Sequence, residues 1–150
     1  MSADKTPEPI SDQVISWRKV FTDGFAPGIS DDGLAMLRDE LLAWPGGRLI
    51  QGQTTFPSPA DPGNYKDVPC KKACAIGLAG WAACGDRATA GEVEDLFARL
   101  CFDADEAIGE QYVCRHFLNW FDGTHMSVVA KDLVPVIEEI LSSRLEKKNV

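Results

Sequence analysis

Segment 69–85, PCKKACAIGLAGWAACG, constrains the fold more than any other part of the chain. Two cysteines four apart lead into residues that are mostly Ala and Gly with a single Trp. A helix made of such residues is thin, and neighbouring helices can approach its backbone closely. Ala73, Gly77, Gly80 and Cys84 share one such close-packing face. The competing reading makes Cys74 a thiol at a helix N-terminus, activated by the helix dipole and by Lys71 and Lys72. Gly77-Leu-Ala-Gly80 is not a phosphate loop, because it lacks a preceding strand and a Lys-Ser/Thr pair.

Most of the remaining chain reads as helix. Ser11 can cap a short helix carrying Val14, Ile15, Trp17, Arg18 and Phe21, which TDGFAPGISDDG then breaks. Ser30, Asp31 or Asp32 caps the next, with Leu34, Leu37, Leu41 and Leu42 on one apolar face, and Trp44-Pro45-Gly46-Gly47 stops it. RLIQGQTTF is at most one short β segment, interrupted at Gly52 and without an evident partner strand. Thr89 and Glu92 form a capping box ahead of the stripe Val93, Leu96, Phe97, Leu100 and Cys101. A helix over 105–121 is expected to carry Ile108, Tyr112, Val113, Phe117 and Trp120. A last helix, capped by Asp132 with Pro135 in its first turn, is expected to run to about Lys147. At 150 residues, these pieces predict one all-α or nearly all-α domain over 11–150: a compact bundle of five or six helices. Residues 1–10 are expected to form a disordered lead. The four tryptophans, Trp17, Trp44, Trp81 and Trp120, end or interrupt helical segments and are expected to fill the core.

Charge narrows the function. The chain carries −8 overall, and residues 92–110 hold seven acids (Glu92, Glu94, Asp95, Asp103, Asp105, Glu106, Glu110) against Arg99 alone. Such a surface repels phosphate backbones, so direct nucleic-acid binding is not expected. The stretch is either a solvated helix face or a docking surface for a basic protein partner. Asp103-Ala-Asp105-Glu106-Ala-Ile-Gly109 lacks the ligand spacing of a calcium loop. The proline-rich irregular segment 56–69 can add partner contacts through Tyr65 and Lys66.

No apolar run reaches the roughly 20 residues of a membrane span, and the N-terminal dozen residues lack the apolar core of a signal peptide. Five cysteines, an odd count, fit free thiols in a reducing cytoplasm better than a disulfide framework.

Chemistry can be sought in three places. Cys74 with His116 or His125 as base, oriented by Asn119 or Asp122, follows the chain order of papain-like enzymes, but no flanking signature accompanies it. The bland alternative is Cys74 as a small buried hydrophobe. Cys70, Cys74, Cys114 and His116 have the ligand types of a zinc site, yet Cys-x-His directs its two side chains apart, and we expect no metal and no cofactor. A small-molecule pocket can be drawn around Trp44, Gln51, Cys74, Trp120 and Asp122, combining aromatic stacking with a carboxylate.

From about Leu34 to Leu145 the chain resembles an uncharacterised family of small bacterial and phage proteins. The matching features are Trp44, Gln51-Gly52, Cys74-Ala-Ile-Gly77, Trp120 with Asp122, and Thr124 leading into 133–141. Phe121 stands where the family pattern has Asn, and the proline-rich loop is longer than in the pattern. The resemblance implies a fold and no activity. Size, acidity and the missing catalytic signatures then predict a non-catalytic binding protein that acts by surface contact with a macromolecular partner, a phage-encoded inhibitor of a host defence system being one specific case. A thiol-dependent hydrolase or transferase built on Cys74, and a protein that sequesters a small molecule or nucleotide signal, are the alternatives.

Overall fold

Most helices in this chain start where a side chain can take up the first unpaired amides. In a computed structural model describing residues 16–59, 63, 65–85 and 87–148, Ser16 Oγ accepts from Lys19 N and opens α1, Trp17–Lys19. The expected Ser11 cap and the lead 1–10 lie outside the described residues. Ser30 Oγ accepts from Gly33 N at 3.0 Å to open α2, Asp31–Ala43. Cys74 Sγ accepts from Gly77 N ahead of α3, Ala75–Trp81. Thr89 and Glu92 close the capping box of α4, Ala90–Ile108, in both directions, at 3.1 and 2.9 Å. Helices α5, Arg115–Gly123, and α6, Met126–Lys148, complete a bundle of six among the described residues.

Five details depart from the sequence expectation. Gly24 and Pro27 do not break α1, which runs on as a π-helical turn Val20–Phe25 and a 3-10 turn Ala26–Gly28. A Cβ at Gly24 would sit 3.1 Å from Ala104 Cβ and from Ile108 Cδ1, so the glycine serves a close approach to α4. Leu42 is 64 % exposed, since one residue beyond the buried Leu41 the helix has turned about 100° away from the core. Within 48–56 only β1, Thr55–Phe56, is strand, and it does have a partner: antiparallel β2, Lys72–Ala73, with Thr55 opposite Ala73. The 105–121 helix is two elements, because Gly109 adopts φ 88° and ends α4 in a left-handed cap. Finally, α6 is continuous through Pro135. Proline leaves one helical carbonyl without its donor. Pro135 and Lys131, which carries that carbonyl, both face solvent, where water can supply it.

Every residue of α3 is buried. The thin helix lies between α2 and α4, with α6 behind α2, while α4 packs on the π-helical turn and α1 on α5. Cys70 precedes β2 and is not helical. A second nucleus is aromatic: Phe117 is surrounded by Trp17, Phe21, Phe25, Trp120 and Phe121, with ring centroids 5.2–6.4 Å away. Trp17 and Trp120 stack at 3.7 Å and 5°. Trp81 is buried and donates its indole N–H to Gly85 O. Trp44, expected in the core, is 39 % exposed.

The late basic residues of α6 act across the bundle. Arg144 donates to Ile29 O, Ala26 O and Asp31 Oδ1, and Lys148 donates to Asp31 Oδ2. Hydrogen bonds from Arg144 and Lys148 hold the Asp31 carboxyl below its ordinary range. With its folded value depressed, whatever stability this group contributes is present at neutral pH and is lost as pH falls through that lowered value. No helix among the described residues is long and apolar enough to cross a membrane.

Candidate functional site

Two concavities contain some of the residues that the sequence singles out. The first surrounds Cys74, a cavity of about 170 Å³ lined by Gly52, Thr54, Ile76, Phe97, Phe117, Phe121 and Asp122 among others. Three of the short motifs meet beside it. The Gln51 amide donates to Phe121 O at 2.6 Å and to Thr124 O at 2.7 Å, and Gly52 N donates to Asp122 Oδ1 at 3.0 Å. Gln51 thereby satisfies carbonyls that the end of α5 leaves open. Cys74 N bonds Thr54 O at 3.0 Å. These groups are occupied with holding the fold.

Cys74 itself is 5 % exposed, and burial pushes its thiol up to about 12, against the weaker opposing effect of the Gly77 and Ile76 amides. The dipole and lysine activation considered from the sequence is overridden by desolvation. No histidine lines the cavity. His125 sits exposed at the start of α6, where its Nδ1 accepts from Ser127 N, and His116 lies in the first turn of α5. Trp44 and Trp120 do not line the cavity either, so the pocket drawn from the sequence keeps only Cys74 and Asp122 in its walls, with Gln51 alongside. Among the described residues no three His, Cys, Asp or Glu side chains come together as a metal site. We expect Cys74 to be the slowest thiol to react with a maleimide in the native protein, and the exposed Cys84 the fastest. Mass mapping of the labelled protein checks this; early labelling of Cys74 would contradict its burial.

The second concavity lies at the end of α4, a cleft of about 540 Å³ lined by Phe102, Asp105, Glu106, Gly109, Glu110, Gln111 and Tyr112. It exists because Gly109 stops the helix and the chain turns back. Asp105 holds that turn, accepting from Tyr112 N through Oδ2 and from Cys114 N through Oδ1, both at 2.9 Å. Tyr112 has φ 65°, the left-handed region that a non-glycine residue seldom enters. Phe102 is 63 % and Tyr112 57 % exposed. No lysine or arginine lines the cleft. One guanidinium is close by: Arg115 lies over the Tyr112 ring, 4.8 Å from its centroid.

The acidic candidates therefore divide. Glu94 accepts from Tyr65 Oη at 2.8 Å, which raises the Tyr65 phenol and fixes the 65–67 turn on α4. Glu92 belongs to the capping box and Asp105 to the turn, so Glu94, Asp105 and Tyr65 are not the free contacts expected of them. Lys66 is exposed, with its backbone against Gly91. Among the described residues, Asp95, Asp103, Glu106 and Glu110 have exposed side chains engaged in no ion pair. The two exposed aromatics escaped the sequence reading, which put Tyr112 on an apolar helix face. The signal for them was Gly109, a helix stop in the middle of the assumed helix.

Compared with known proteins, the chain matches no family model, no curated protein and no solved structure.

Proposed function

We propose that this protein is a non-catalytic binder of a basic protein surface, and that the cleft at the end of α4 is where the partner docks. The observation that carries this reading is the pairing of two exposed aromatic rings, Phe102 and Tyr112, with the carboxylates of Glu106 and Glu110 in a cleft lined by no cation. Carboxylates attract an arginine or lysine over distance, and an aromatic face then holds it at contact, worth about 0.5–2 kcal/mol per ring. Arg115 over Tyr112 is an internal instance of that contact. Asp103 lies on the adjoining surface and extends the negative field. A phage-encoded inhibitor of a defence protein is one case of such a binder.

The test is charge reversal at the three acids that do no structural work. Asp103→Lys, Glu106→Lys and Glu110→Lys together should slow association with an arginine-rich peptide at least about tenfold, because charge complementarity mainly sets the encounter rate. Raising salt from 0.1 to 1 M should do the same to the wild type, as the screening length falls from about 10 Å to about 3 Å. Asp105 is left intact so that the turn survives. Unchanged association in the triple variant would reject the docking surface and leave the acids as a solvated face.

A further inference from the structure

Behind the cleft wall lie two thiols whose placement the binding reading does not use. Cys101 sits on α4 one helical turn before Asp105, so the two side chains share a face. Asp105 in turn grips the backbone N–H of Cys114, which brings Cys114 over the same turn of α4, where the Cys101 and Cys114 thiols interact. The other three cysteines are placed differently. Cys70 Sγ donates to Lys72 O, Cys74 caps α3, and Cys84 is exposed on the far side of Trp81 in the chain. Cys101 is partly accessible, and Cys114 is buried.

We propose that Cys101 and Cys114 are a thiol-oxidation site, closing to a reversible disulfide when the protein meets a hydroperoxide. The interaction between the two thiols favours ionisation of one, Cys114, while Cys101 keeps its proton. The Cys114 thiolate takes an oxygen from the hydroperoxide, becoming a sulfenic acid once protonated. With hydrogen peroxide the other product is water. Cys101 sulfur then attacks the sulfenic sulfur; the S–S bond forms, the S–O bond breaks, and the oxygen leaves as water with the Cys101 proton. The cysteines lose two electrons and the peroxide gains them. The bond would tie α4 covalently to the turn that carries Tyr112, fixing one wall of the cleft. This holds whether or not the cleft binds a basic partner.

Trypsin provides a direct readout, because Leu100 to Arg115 is a single peptide containing both thiols and no internal Lys or Arg. Native protein is treated with dilute hydrogen peroxide, alkylated and digested. The peptide is expected to refuse both alkyl groups, to be two hydrogens lighter, and to recover on treatment with dithiothreitol. Cys101→Ser or Cys114→Ser should abolish the change and Cys84→Ser should not. Closure should be at least about tenfold faster in the native protein than in the same chain in urea, since the fold holds the thiols together. A peptide that stays doubly alkylated while Cys84 oxidises, one that gains oxygen without forming the bond, or equal rates in urea would each overturn the proposal.

Discussion

Phe117→Ala is expected to destabilise the protein by about 3–5 kcal/mol, the range for a fully buried phenylalanine truncated to alanine. Phe117 is 0 % exposed and touches five other aromatic rings drawn from α1, its π-helical extension and α5. No single other side chain in that cluster can close on the space it leaves, because Trp17 and Trp120 are already stacked face to face. The loss should appear in urea unfolding as a lower midpoint. It should also appear in near-ultraviolet circular dichroism, where the Trp17–Trp120 stack contributes a coupled signal that weakens when its support is removed. A midpoint shift worth under about 1 kcal/mol would mean that α1 and α5 are held together elsewhere.

Gly33→Ala is the second large effect, expected at about 2–3 kcal/mol. A Cβ at this position would run into the Ala79 carbonyl oxygen and approach Ile29 Cγ2 to 2.9 Å. The obstacle is the backbone of α3, which is buried from end to end and has no room to move. Overpacking of this kind costs about 1–3 kcal/mol or more, and the helix-propensity gain of alanine over glycine, up to about 1 kcal/mol, offsets part of it. Gly123→Ala is the control. Nothing lies within 4 Å of a Cβ there, so the same substitution should be neutral or stabilising by up to about 1 kcal/mol. Equal midpoints for the two variants would show that α2 does not pack as closely on α3 as the geometry requires.

These two positions also show what a single sequence can reveal. The Ala- and Gly-rich composition of α3 announces close packing, since small residues are required wherever backbones nearly touch. Which helix makes the approach, and through Gly33, is a tertiary matter. The start of α4 is legible because a capping box is local, four residues satisfying one another. Its end is not, because Ile108, Tyr112 and Val113 continue an apolar rhythm across Gly109. Gly109 is the one local hint of the stop, and its left-handed φ makes it one. A helix continued past Gly109 has no cleft, since Phe102 and Tyr112 flank it only if the chain turns back there. Gln51 and Asp122 read as pocket residues, but each is bonded to a segment some 70 residues away, the Gln51 amide to Phe121 O and the Asp122 carboxylate to Gly52 N. Local pattern can nominate such residues. It cannot say that their polar groups are already used.

The acidic stretch illustrates the same limit through charge. Seven acids look alike in sequence, yet Glu92, Glu94 and Asp105 are committed to backbone amides or to Tyr65. What remains is a narrower surface running from Asp95 past Asp103 to Glu106 and Glu110, with two aromatic rings at its far end.

The central claim is that this far end, and not the Cys74 cavity, is where the protein meets its partner. Amide chemical-shift mapping during titration with an arginine-rich peptide tests it most directly. The account predicts saturable shifts at Phe102, Glu106 and 109–112, reduced at least about tenfold in affinity by Phe102→Ala with Tyr112→Ala, and no change at Gly52, Cys74 or Asp122. Shifts centred on those last three residues, or uniform weak shifts along the acidic face that the aromatic double variant leaves untouched, would contradict it.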